Sequence, residues 1–114
     1  MVKRKKFFPD RGDIVWLNFT PQAGHEQLGR RPALVLTPKE YNSKTNLAVF
    51  CPITSKEKGY PFEVLIKGRK INGVILSDQV KSLDWNIRDA EYIESIDKII
   101  LKEVEENIKI LIFS

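Results

Sequence analysis

Apolar and polar residues alternate in short runs along most of the chain, and the runs end at clusters of Gly, Pro, Asn or Lys. In "DIVWLNF", residues 13 to 19, Ile14, Trp16 and Asn18 alternate with Val15, Leu17 and Phe19, the two-residue period of a strand. "TPQAGHEQLGRRP" is too polar, and too rich in Gly and Pro, to continue it. "ALVLTP" and "NLAVFCPI" are further strands, bounded by prolines and by the turn-like "YNSKTN". "KEKGYP" predicts a turn, "FEVLI" a strand and "KGRKING" another turn. In "GVILSDQV" the strand pattern is broken by Gly73 at its start and by Ser77, Asp78 and Gln79; "AEYIESI" alternates again. Short strands without long helices between them argue against βαβ units and for a small barrel or sandwich.

The period changes at the C-terminus. In "DKIILKEVEENIKILIF", Ile100, Val104, Ile108, Leu111 and Ile112 recur at helical spacing and mark one apolar stripe. Asp97 stands where its carboxylate can accept from the first free N–H groups of that helix. Lys98, Lys102, Glu105 and Glu106 form a solvated outer face, and the apolar face is expected to cover one opening of the barrel. The fold class is therefore mainly β with a C-terminal helix.

With 114 residues the chain fits one domain, residues 1–114, in which residues 1–8 read as a basic tail. A core of this size is modest, and a partner subunit would help it. No apolar run approaches the length of a membrane span, and "MVKRKKFFP" lacks the apolar stretch of a secretory signal. The expected location is the cytoplasm. A single cysteine, Cys51 in "LAVFCPI", excludes an internal disulfide and reads as a buried, inert thiol. One histidine and one cysteine, far apart, make no structural zinc site, and no metal or cofactor is expected. Nineteen Lys and Arg against fifteen Asp and Glu give a net charge of +4, a mild bias towards anionic partners.

Three polar patches can carry chemistry. In the first, Arg31 lies between Arg30 and Pro32 just ahead of "ALVLTP". The proline biases its neighbour to extended geometry, and a guanidinium is a natural phosphate clamp. His25, Glu26 and Gln27 stand just upstream, in a loop that Gly24 and Gly29 let fold back. A carboxylate, an imidazole and a guanidinium together can move protons beside a phosphate, although each suits an ordinary surface loop as well. The second patch holds Thr54, Ser55, Lys56 and Lys58, a strand end followed by a basic turn. The third holds Asp78, Gln79, Lys81 and Trp85. Tyr60, Phe62 and Trp85 can stack on splayed bases or fill a core.

Together the patches resemble the MazF/PemK family of toxin endoribonucleases from type II toxin–antitoxin modules. The resemblance is carried by "GDIVWLNFTP", "GHEQLGRRPALVLTP", the "CPITS" strand end, "KGYPFEV" and "GVILSDQVKSLDW", in one order along nearly the whole chain. It implies a small SH3-like barrel that works as a homodimer, and metal-independent cleavage of single-stranded RNA, usually mRNA, at short motifs. The family's key arginine before proline falls on Arg31, its key threonine on Thr54 and its loop glutamate on Glu26. The implied RNA-binding set is His25, Gln27, Arg30, Ser55, Lys56, Lys58, Asp78, Gln79 and Lys81. His25 stands where relatives often carry Ser, and Asn18 where they often carry Asp.

The implied reaction is attack by the RNA 2′-hydroxyl, giving 2′,3′-cyclic phosphate and 5′-hydroxyl ends. The expected partner is an antitoxin with an acidic, flexible tail that folds on binding. Two other functions share this fold: the related CcdB toxins poison DNA gyrase, and a plain SH3-like module would hold RNA without cutting it.

Overall fold

The computed structural model describes residues 7–19 and 29–113. Within these residues seven antiparallel strands form one curled sheet, with the terminal helix packed against it: β1 (Asp13–Asn18), β2 (Arg30–Val35), β3 (Leu47–Thr54), β4 (Glu63–Lys67), β5 (Asn72–Leu76), β6 (Lys81–Asp84) and β7 (Glu91–Ser95). Helix α1 (Lys39–Thr45) joins β2 to β3, and α2 (Lys98–Phe113) ends the chain. The strands run in the order β4-β5-β3-β2-β1-β7, with β6 added on β3. The long strand β3 changes partners along its length: Leu47–Phe50 pair with β6, while Ile53 and Thr54 pair with β5. Gly73 makes the second pairing feasible, because a Cβ there would collide with the Thr54 carbonyl. The mainly β expectation with a C-terminal helix is met.

Alternate residues of β1, β2 and β3 enter two separate cores. Ile14, Leu34, Cys51 and Ile53 join Val64, Ile66, Ile75, Ile93 and Val104 in one. Val15, Leu17, Ala33, Val35, Ala48 and Phe50 pack with Trp85 in the other. Both faces are covered, so these strands read as nearly continuous apolar runs. A shift in the β1–β7 register between Ile14 and Val15 accompanies the change from one core to the other. Fully burying one such aliphatic side chain contributes about 1.5–3 kcal/mol.

Three sequence expectations of local structure are corrected. "YNSKTN" is mostly helical, since α1 runs through Thr45 and only Asn46 turns, at φ 60°. Its composition disfavours a helix, but tertiary bonds hold it: the buried Asn42 donates to the carbonyls of Pro9 and Thr37, each at 2.8 Å. "KSLD" within the third patch is strand β6, too short and polar to show a period. The basic tail ends earlier than residue 8, because Phe7 and Phe8 pack on the second core, Phe8 edge-on to Trp85 at 5.7 Å.

The stripe of α2 is covered only in its first half. Ile100, Val104 and Ile108 meet the first core, with Leu101 beside them, whereas Leu111 and Ile112 are exposed. Asp97 caps the helix as expected, its Oδ1 accepting the Ile99 N–H at 3.2 Å. Among the described residues no helix is long and apolar enough to cross a membrane.

Candidate RNA-binding groove

Pairing between β2 and β3 begins only at Ala33 and Pro52, so the first residues of β2 stand beside an opening in the sheet. A groove of about 680 Å³ occupies this region. Trp16, Arg31 and Pro32 line it from β1 and β2, and Ile53 and Thr54 line it from the end of β3. The loop after β3 adds Ser55, Lys56, Lys58 and Tyr60, and Asp78 and Gln79 follow from the β5–β6 turn. Ile71 and Asn72 close the lining at the start of β5, while Glu63 and Leu76 complete it. Arg31, Lys56 and Lys58 outnumber the carboxylates of Glu63 and Asp78, so the groove favours an anion.

Thr54 Oγ1 accepts the Lys56 N–H at 3.2 Å, closing a side-chain turn at the strand end. An accepting hydroxyl keeps its own hydrogen, which can be donated to a phosphoryl oxygen. The Glu63 carboxylate accepts the N–H of Gly59 at 2.9 Å and of Lys58 at 3.1 Å, fixing the basic loop from below. Arg31 is exposed and makes no ion pair among the described residues. Its exposed side chain lines the groove, where a guanidinium can meet an anionic ligand. Tyr60 is 62% exposed and Trp16 36% exposed, giving the groove two accessible aromatic faces.

The structure thus brings together Arg31, Thr54, Ser55, Lys56, Lys58, Asp78 and Gln79. It does not bring Arg30 or Lys81 to them. Arg30 pairs with Glu91 at 2.9 Å and also donates to Asn18 Oδ1 at 3.0 Å and to the Asp89 carbonyl at 3.1 Å. Lys81 sits over the Phe19 ring, 5.8 Å from its centroid. His25, Glu26 and Gln27 lie outside the described residues. Trp85 is a core residue, 3% exposed, whose indole N–H donates to the Asn42 carbonyl, and Phe62 does not line the groove.

Trp16 is the aromatic that sequence reasoning missed as a groove residue. Its signal was present: it shares a strand side with Asn18, so that side leaves the core between Ile14 and Asn18. Cys51 is buried as expected, and burial together with the Asp78 charge pushes its thiol up to about 12, away from any nucleophilic role. Among the described residues no three His, Cys, Asp or Glu side chains cluster as metal ligands do.

Residues 10–112 match the family described as PemK-like, MazF-like toxin of type II toxin-antitoxin system. The chain belongs to this family. It is 44% identical over 112 residues to the endoribonuclease toxin MazF of Escherichia coli (strain K12), covering 98% of this chain and 99% of that relative. The crystal structure of MazF (Form-I) from Deinococcus radiodurans superposes with a TM-score of 0.86 at 50% identity, covering 96% of this chain and 100% of that one. The MazE-MazF (Form-II) crystal structure from the same organism gives 0.85 at 44% identity, covering 95% and 98%. The curled sheet and terminal helix of the toxin are thus the family's fold, and the groove holds the arginine and threonine that the family resemblance singled out.

Proposed function

We propose that the toxin is a sequence-specific endoribonuclease that cuts single-stranded RNA, mRNA included, in the groove between Arg31 and Thr54. The supporting observation is their meeting in one net-positive groove with lysines and two accessible aromatic faces. RNA supplies its own nucleophile, the 2′-hydroxyl next to the scissile phosphorus. The protein then has three tasks: to take the hydroxyl proton, to stabilise the extra charge on the phosphate and to protonate the departing 5′ oxygen. The Arg31 guanidinium and the Thr54 hydroxyl suit the second task by charge and by hydrogen bonding. Glu26 is the candidate base, and Arg31 is a poor one because a guanidinium gives up its proton so reluctantly. The products carry 2′,3′-cyclic phosphate and 5′-hydroxyl ends, and the chemistry requires no metal.

Residues 1–114 act as one toxin domain in the cytoplasm, paired as a homodimer. One of the related crystal structures from Deinococcus radiodurans is of MazE-MazF. The present toxin has a cognate antitoxin in the same way, whose acidic tail competes with RNA for Arg31, Lys56 and Lys58.

Incubation with a mixed RNA pool in EDTA tests the activity. Defined fragments with 2′,3′-cyclic ends are expected, and a single 2′-deoxy sugar at the cut site should abolish cutting there. Retardation of RNA without fragments would instead identify a binding module. Inert RNA with inhibited supercoiling would identify a gyrase poison.

A further inference from the structure

Glu94 lies outside the groove, yet its carboxylate gathers three backbone N–H groups from one turn. Oε1 accepts from Arg69 at 3.0 Å, and Oε2 accepts from Lys70 at 3.0 Å and from Ile71 at 2.9 Å. The turn lies between β4 and β5, closed by the Gly68 N–H donating to the Ile71 carbonyl at 2.8 Å. Glu94 belongs to β7, and β4 and β7 are the two ends of the sheet path. A carboxylate from one end of the curled sheet therefore holds a turn at the other. Among the described residues no ladder of backbone bonds joins β7 to β4 or β5.

Gly68 supplies an independent observation. A Cβ at that position would stand 2.5 Å from Glu94 Oε2 and 2.9 Å from Cδ, so the missing side chain leaves the seat the carboxylate occupies. Burial alone would raise the Glu94 pKa, but the three N–H groups and the Lys70 charge outweigh it and hold it below the ordinary carboxylate value. The clasp is therefore ionised at neutral pH. The last residue of the turn, Ile71, and the first of β5, Asn72, line the groove, and Gly73 and Val74 then run against Thr54.

We infer that Glu94 is a positioning residue for the groove: by tying the 68–71 turn to β7 it holds Ile71 and Asn72 in the groove wall and steadies the strand that supports Thr54. The inference rests on the groove being the RNA-cleaving site. Three charge-assisted bonds from one side chain are strong as a set, and each alone is worth more than a neutral hydrogen bond.

The test compares the full-length toxin with Glu94→Ala, Gly68→Ala and the double variant, by amide hydrogen exchange and by cleavage of the mixed RNA pool. Gly68 lies outside the left-handed backbone region, so an alanine there is opposed mainly by the carboxylate. Each single variant should speed exchange at Arg69, Lys70 and Ile71 about tenfold or more. It should also lower kcat/KM about tenfold, the size of one lost charge-assisted bond. The double variant should be no worse than Glu94→Ala, because the carboxylate that the added methyl would strike is then gone.

Unchanged exchange at the three amides would overturn the clasp. Released amides with undiminished cleavage would overturn its role in the groove. Fully additive losses would reduce both changes to general destabilisation and count equally against it. If Glu94→Ala fails to fold, Gly68→Ala decides the matter through the same amides. A wild-type toxin that leaves RNA intact would fault the proposed activity, while the exchange data would still decide the clasp.

Discussion

Arg30 and Arg31 are neighbours on β2, and their surroundings are opposite in kind. Arg30 is held on three sides, by Glu91, by Asn18 and by the Asp89 carbonyl, and ties the start of β2 to β1 and the segment leading into β7. Arg31 is exposed at the groove and makes no ion pair among the described residues. The two side chains carry the same charge and the same five donors. What separates them is how much of that capacity the fold has already used. A guanidinium satisfied internally contributes to stability; one left open beside a threonine hydroxyl and two lysines can serve a phosphate.

The largest effect that can break this contrast is in catalysis. Arg31→Ala and Thr54→Ala should each slow single-turnover cleavage by ~100-fold or more, the cost of one donor to transition-state charge. RNA affinity should change much less. Equal losses for Arg30→Ala and Arg31→Ala would erase the distinction and leave only general attraction to the backbone.

A smaller effect is expected from the basic loop. Lys56→Ala or Lys58→Ala should weaken RNA binding uniformly over sequences, and each should reduce the slope of log affinity against log salt by about 0.7. Titrations at several salt concentrations measure this directly. A loss confined to one RNA motif would make the lysine a reader of bases and no longer a simple phosphate contact.

Smallest is the effect of Arg30→Ala on stability. Its ion pair with the largely exposed Glu91 is worth up to about 1 kcal/mol. Denaturant melts should show a loss of that order, with cleavage slowed far less than by Arg31→Ala. If the variant is as stable as wild type and cuts poorly, Arg30 belongs to the groove after all.

The parts of this structure legible in the sequence are those with a sustained apolar pattern. Strand β1 and the capped helix α2 show a period, and strand β3 a continuous apolar run, over enough residues to be recognised. Helix α1 was not legible, because its stability comes from Asn42 bonding to Pro9 and Thr37, which local propensity does not register. Strand β6 has four residues and gains its pairing from β3. Within the site, Arg31 before proline and the Thr54 strand end stood out chemically, and both line the groove. Lys81 was a further candidate and Trp85 suited either bases or a core, but one rests on Phe19 and the other is buried.

By itself the sequence determined the strand-rich class, the terminal helix with its Asp97 cap, the inert buried Cys51 and the short list of groups able to handle a phosphate. These follow from side-chain chemistry and from periods of two or 3.6 residues, which neighbours along the chain settle among themselves. Only the tertiary structure decided which of those groups share a groove. Strand alternation sends adjacent residues to opposite sides, but the curl of the sheet determines whether a side meets core, solvent or another loop. Hence Trp16 reaches the groove from β1 and Arg30 is drawn to Glu91. For the same reason Glu94 finds its partners 23 to 25 residues away, across the ends of a sheet whose closure no local pattern encodes.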